Sequence, residues 1–275
     1  MGFFPWRFLH KIGLYGAIYY LGYNLYNFLQ MQFLKRPRIA ANTAGSGLIA
    51  ATQENQAGAK YYWGCPSTII PEVGLPHLPV TDINQRNLRE PLRIVWTGLH
   101  EARKALNLGL DALNICRSDI NWELHILGNG PRKNTWMRQA ESRGIFKRTF
   151  FHGWLSRDQA LKVMSRAHVM LITSLRDLTS TVTIEALALG LPIVCLDHCG
   201  FADVINEYCG IKVPVTKYNQ VVKGLAKALE SLADDEILRQ KLAKGALARA
   251  QMYSWESKAD LICRIYEARL KNEKY

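Results

Sequence analysis

A doubly wound α/β fold on a parallel sheet is predicted for most of this 275-residue chain. From Leu92 onward, short and nearly continuous apolar runs alternate with stretches whose apolar residues recur at helical spacing. The runs lack the polar–apolar alternation of one-sided strands, as expected where crossover helices cover both faces of a sheet. With 48% hydrophobic and 21% charged residues, the chain can build a sizeable core and is not pervasively disordered.

The elements follow in order. "LRIVWTG" (92–98) is a strand ending at Gly98, and "EARKALNLGLDALNICR" (101–117) carries a helix. "WELHILG" (122–128) is the next strand, with a helix over 132–143. "TFFHG" (149–153) precedes "SRDQALKVMSRA" (156–167), a helix with Ser156 as its N-cap. "HVMLITS" (168–174) leads into a helix that starts near 179–181 and contains "EALALG", and "LPIVCLD" (191–197) follows it. Three helices close the chain, over 217–232, 235–251 and 255–271, the last capped by Ser254.

The first 91 residues read differently. Ile12 to Leu34 carries no charge for 23 residues, long enough to cross a bilayer. Asn24, Asn27, Gln30, Gln32 and five tyrosines argue against spanning, and basic residues flank both ends. A helix lying in a membrane interface or packed in a domain is the expectation. "RIAANTAGSGLIAA" (38–51) reads as a short strand and then a helix start, and "STIIPEVGLP" (67–76) as a strand and a turn. "TDINQRNLREP" (81–91) is polar and aperiodic, a linker. The expected boundary separates 1–91 from 92–275.

A formal charge of +12 favours anionic partners. No finger, zipper or RNA-binding pattern accompanies it, so nucleic acid is not expected. The six cysteines form no C-x-x-C pair, which suggests neither zinc nor a disulfide framework and fits a reducing compartment such as the cytoplasm. No cleavable secretory signal is evident.

Ligands of open α/β sheets bind beyond the carboxyl ends of the strands. Four loops there carry suggestive residues. Arg103 and Lys104 open a helix after a strand end, a cationic pair suited to a phosphate. Gly128 and Gly130 in "LGNGP" allow a tight turn and close approach by a ligand. The third glycine of a dinucleotide fingerprint is missing and no acid follows at the usual distance, which disfavours a nicotinamide oxidoreductase. Thr179, Ser180 and Thr181 fall at a helix start, where hydroxyls and free N–H groups could hold phosphate oxygens. Asp177 lies before that helix and Glu185 within it, so both could reach one cavity; a carboxylate on so apolar a helix needs a partner. Asp197, His198 and Cys199 offer no metal-ligand spacing, and no metal is expected.

In this order the loops resemble retaining nucleotide-sugar glycosyltransferases of family 4, which have the GT-B fold. That family's donor domain reads G-R-L-x-x-R-K-G, G-x-G-P, F-x-G, S-x-x-E-G-F-G, E-A-x-A-x-G-x-P-V-V and G-G-x-x-E-I-I. Here the series is "GLHEARKA", "GNGP", "FHG", "SLRDLTSTVTIE", "EALALGLPIV" and "CGFADVI", over about 92–271. The resemblance implies a Rossmann-like donor domain and transfer of a sugar from a nucleotide diphosphate to a hydroxyl with retained configuration. It implies that Lys104, beside Arg103 and Gly98, binds the diphosphate, that Glu185 holds the ribose and that Asp177 contacts the sugar. Residues 179–182 would cradle the phosphates. No cofactor or metal is implied beyond the donor substrate. A glycan or lipid-linked acceptor, cell-surface polysaccharide or glycolipid synthesis, and peripheral membrane contact would follow.

The pattern is not complete. Leu99 replaces the first arginine, Asp177 replaces a glutamate, "LTST" replaces the glycine-aromatic-glycine stretch, and His198-Cys199 precede Gly200 where a glycine stands in the family. About 90 residues before the donor domain are fewer than a full acceptor domain needs, so an incomplete N-terminal domain is expected, with a non-catalytic nucleotide-sugar-binding subunit as the alternative to an enzyme.

Overall fold

The computed structural model describes residues 5–11, 13–44, 47–76 and 82–272. Two helices lead, α1 (Gly13–Phe33) and α2 (Lys35–Ala44). Ile12, the first residue of the uncharged stretch, lies outside the described residues. The strand expected at the start of 38–51 is part of α2 instead. Pro37 stands in that helix's first turn, where a missing N–H breaks no bond, and Ile39-Ala40-Ala41 is too short a run to distinguish the two periods. The strand falls later, as β1 (Ile49–Ala50), paired parallel with β2 (Thr68–Ile69). Between them α3 (Gln53–Gly58) is capped by Thr52, whose Oγ1 accepts the Asn55 N–H at 3.1 Å.

The main sheet has six parallel strands: β3 (Leu92–Thr97), β4 (Trp122–Leu127), β5 (Thr149–Gly153), β6 (Val169–Ile172), β7 (Ile193–Asp197) and β8 (Gly210–Pro214). Their spatial order is β5-β4-β3-β6-β7-β8. Winding therefore starts at β3 and reverses at β6, the doubly wound order whose ligand crevice opens between those two strands. The connecting helices are α4 (Leu106–Ile115), α5 (Lys133–Ser142), α6 (Arg157–Met164), α7 (Thr181–Ala188) and α8 (Cys199–Val204). Then come α9 (Tyr218–Asp234), α10 (Glu236–Ala250) and α11 (Trp255–Asn272). Ser156 caps α6 in a reciprocal box with Gln159, and Ser254 accepts the Ser257 N–H at 3.1 Å, both caps as expected.

Burial of β6 and β7 is continuous through Leu196, as covered faces require, whereas β4 and β5 alternate towards the sheet edge. The α8–β8 pair was not foreseen: "GIKVP" is short and ends in proline, so it carries little periodic signal.

The expected linker is extended but not loose. Thr81 lies outside the described residues. From 82 onward the segment is clamped to α10: Arg86 N–H donates to Glu236 Oε1 at 3.2 Å, and the buried Arg239 bonds Asn84 O at 2.5 Å and Glu236 Oε2 at 2.8 Å.

Candidate functional site

The β3 loop and the β6 loop meet at the reversal point. After Gly98, a tight turn at Ala102–Lys104 and Ala105 in the left-handed region (φ 46°) aim Lys104 back across the strand end. Thr173 Oγ1 donates to Lys104 O at 2.7 Å and accepts Trp96 Nε1–H at 3.0 Å, while Leu175 N–H donates to Arg103 O at 2.8 Å. These bonds stitch the two loops together. Lys104, buried, puts its ammonium on the Asp177 carboxylate. Arg103 lies 2.9 Å from Glu101 and 3.6 Å from Asp177. The predicted Lys104, Arg103 and Asp177 thus form one charged cluster.

Gly128 and Gly130 use their freedom on the neighbouring loop. A Cβ on Gly128 (φ 111°) would stand 2.1 Å from Gly98 O, and one on Gly130 would stand 2.8 Å from His100 N. The close approach seen in this structure is backbone on backbone.

The α7 entry divides the predicted residues. Lys104, Asp177, Ser180, Val182 and Thr183 line a cavity of about 10 Å³, room for a single water. Thr179 is fully buried, and Glu72 receives both its N–H (2.8 Å) and its hydroxyl (3.2 Å). Thr181 begins α7 and is exposed. Glu185 does not line this cavity. The partner its buried carboxylate requires is Arg157 on α6, at 2.8 Å.

His198 and Cys199 brace the same loop from β7. Cys199 Sγ accepts the Asp177 N–H at 3.2 Å, and His198 lies 3.0 Å from Leu175 O through Nε2 and 3.3 Å from Glu54 through Nδ1. Burial acts to lower the His198 pKa, but hydrogen bonds with Cys199 and Glu54 outweigh it and raise it to about 10. Among the described residues no cluster of three or more His, Cys, Asp or Glu is arranged to hold a metal ion. Glu72, Glu54 and Arg157 escaped the sequence reading because their partners lie 107, 144 and 28 positions away, with no local pattern to mark them.

Three non-glycine residues have positive φ among those described: Ala105 (46°), Ser180 (69°) and Cys199 (61°). Each stands where the donor-domain pattern has a glycine. All three therefore hold a backbone conformation that favours glycine.

The family model for glycosyl transferases group 1 matches residues 82–249. The chain belongs to that family. It is 27% identical over 187 residues to a glycogen synthase of Mycobacterium tuberculosis, an alignment covering 67% of this chain and 44% of that protein. The chain thus spans less than half the length of that relative. Among solved structures, sucrose-phosphate synthase from Thermosynechococcus elongatus superposes with a TM-score of 0.66 at 21% identity, covering 82% of this chain and 58% of that one. Anabaena HepE, solved with UDP-glucose, gives 0.65 at 16% identity, covering 84% and 67%. The likeness establishes the glycosyltransferase GT-B fold.

Proposed function

We propose that this chain binds a nucleoside-diphosphate sugar where β3 and β6 part, and transfers the sugar to a hydroxyl with retention of configuration, as in the family-4 enzymes it resembles. The observation that carries this reading is the ion pair of Lys104 and Asp177, a cation and a carboxylate held together at the switch point beside the start of α7. On donor binding Lys104 leaves Asp177 for the diphosphate, with Arg103 beside it, and Asp177 turns to the sugar hydroxyls. Glu185 takes the ribose. The anomeric bond to the diphosphate breaks, the bond to the acceptor oxygen forms, and the hydroxyl's proton leaves with the diphosphate. Cations and N–H groups stabilise the charge that develops there, and no metal is called upon. UDP is the first base to test, since HepE was solved with UDP-glucose. A glycan or lipid-linked acceptor at the cytoplasmic side of a membrane completes the reading.

Calorimetry with UDP and GDP tests it. Binding of one of them, weakened about tenfold or more in Lys104→Ala, is expected, equivalent to about 1.4 kcal/mol. No binding to either would sink the reading. Binding without turnover over a panel of glycan and lipid acceptors would leave a nucleotide-sugar-binding subunit, and an inverted anomer in the product would remove the stereochemical half.

A further inference from the structure

Beyond β2 the chain is laced to the junction of α10 and α11. Leu75 donates its N–H to Tyr253 O at 3.1 Å and accepts the Trp255 N–H at 3.0 Å. Gly74 packs so closely that a Cβ there would stand 3.1 Å from the Trp255 ring. Lys258, buried on α11, donates its ammonium to Pro71 O at 2.5 Å and also to Val73 O. Burial lowers the Lys258 pKa, and the nearby Glu72 carboxylate acts against that. One buried cation thus holds the backbone on both sides of Glu72, and the Glu72 side chain reaches across to the α7 entry.

There it meets the fully buried Thr179, whose polar groups are all engaged. Glu72 Oε1 accepts the Thr179 N–H at 2.8 Å, and Oε2 accepts its hydroxyl at 3.2 Å. From the other side the Thr183 hydroxyl donates to Thr179 O at 2.9 Å. Both peptide planes that flank Thr179 are therefore held, one by its N–H and one by its C=O. In a trans peptide the N–H points opposite to the C=O, so the same bonds set the direction of the Ser180 N–H. Ser180 needs such support, because its φ of 69° is costly for a residue with a Cβ. Among the described residues the N–H groups of Ser180, Thr181 and Val182 have no acceptor. Ser180 and Val182 line the same small cavity as Lys104 and Asp177.

We infer that Glu72 is a positioning residue for the donor diphosphate: it makes no bond to the ligand, and by holding Thr179 it directs the free N–H groups of Ser180, Thr181 and Val182 at the phosphate oxygens. The inference rests on the functional reading above. It also extends the donor site to a segment outside the sheet, kept in place by α11. A carboxylate at this spot has two effects of opposite sign, since it repels a diphosphate and organises the amides that bind one. The geometry favours the second: both Glu72 oxygens are spent on Thr179, and the three following N–H groups are left open.

Two measurements on the full chain test it: calorimetry with UDP and GDP, and amide hydrogen exchange without ligand. Glu72→Ala should raise the Kd for whichever diphosphate the wild type binds about tenfold, the worth of one charge-assisted hydrogen bond. It should also speed exchange of the Thr179 amide. Glu72→Gln, whose side-chain oxygen still accepts the Thr179 N–H, should recover most of both. The affinity for the nucleoside alone, followed by ligand-detected NMR, should not change, because a nucleoside has no phosphate to reach the loop. Unaltered thermal unfolding shows that the variants are folded. Tighter diphosphate binding in Glu72→Ala would make the carboxylate a competitor for the amides and overturn the inference. An equal loss for the nucleoside would mean a general disturbance of the site, and would overturn it as well. Equal diphosphate affinities in wild type and Glu72→Ala fail this inference alone. A wild type that binds neither UDP nor GDP fails the functional reading, and leaves Glu72 a structural clasp only.

Discussion

In β6 every residue from Val169 to Ile172 is buried, whereas along α1 Leu14, Ile18, Leu21 and Leu25 are each more than half exposed. Both segments are apolar in sequence, and their surroundings differ. A sheet strand satisfies its backbone only by joining neighbours, and joining them between two helical layers buries both its faces. A helix satisfies its backbone internally, so it can rest on the protein by one side and leave the other open. Apolar content therefore fixes burial in the sheet and leaves it undecided in α1.

The sharpest way to break the sheet unit is through the clamp that holds its leading segment. Arg239 is 1% exposed and bonds Glu236, Asn84 O and His168 O. Arg239→Ala removes the nearest cation of the Glu236 carboxylate, leaving it Arg86 and Gln240, empties a fully buried site, and should cost about 3 kcal/mol in urea unfolding. Its pH dependence can be stated. Burial alone would raise the Glu236 pKa, but hydrogen bonds from Arg239 and Gln240 outweigh it and hold it near 2, below the ordinary 4.5. The contribution is complete above about 4.5 and is lost as pH falls towards 2. The difference between wild type and variant should shrink over that window.

Matched leucine deletions measure the comparison itself. Leu124 is fully buried in β4, and Leu124→Ala should cost about 2–5 kcal/mol. Leu21, 53% exposed on α1, should change stability by no more than about 0.5 kcal/mol when replaced by alanine. A large loss at Leu21 in dilute solution would mean that the stripe is covered there.

Legibility followed the same division. Strands β3 to β7 were readable because continuous apolar runs, the first three ending in glycine, and helices with hydroxyl caps are local signals, as Ser156 and Ser254 show. Residues 38–44 were misread, since a proline in a first turn resembles a break and three apolar residues fit either period. The site was half legible. Lys104 and Asp177 were marked by their loops, but what Glu185 and Thr179 bond to was not, because Arg157 and Glu72 come from distant segments. Nor does a polar stretch such as 82–91 announce that Arg86 will be buried; that depends on Glu236 and Arg239, 150 and more positions away.

A smaller effect is expected in the β3 loop. His100 is fully buried among Trp96, Trp136 and Phe151, and neither ring nitrogen has a hydrogen-bond partner. The donor-domain pattern has leucine at this position. Burial, aided by Lys133, lowers its pKa to about 4. Below about 6.5 the unfolded chain therefore takes up the proton before the folded one does, and stability falls as pH drops from 6.5 to 4. His100→Leu should raise stability by about 1–2 kcal/mol at neutral pH and reduce that slope. His168, lowered to about 3 by burial and by Arg93, keeps part of it. No change in slope would place the wild-type acid sensitivity at the other histidines that burial holds low, His125, His152 and His168.

The smallest effect concerns backbone strain at the α7 entry. Ser180 holds φ 69° and ψ 123°, a region L-residues rarely visit, and its side chain makes no capping bond to offset the cost. Glycine removes the Cβ conflict but gives the unfolded chain more freedom, so the two terms partly cancel. Ser180→Gly should therefore raise stability by only about 0.5–1 kcal/mol, seen as a small increase in Tm, and Ser180→Ala should give none. If alanine stabilises as much as glycine, the strain lies in the half-buried hydroxyl and not in the backbone. If only glycine does, the loop keeps a glycine's conformation without a glycine, and the variant's affinity for UDP then shows whether that retained shape is the one the donor phosphates require.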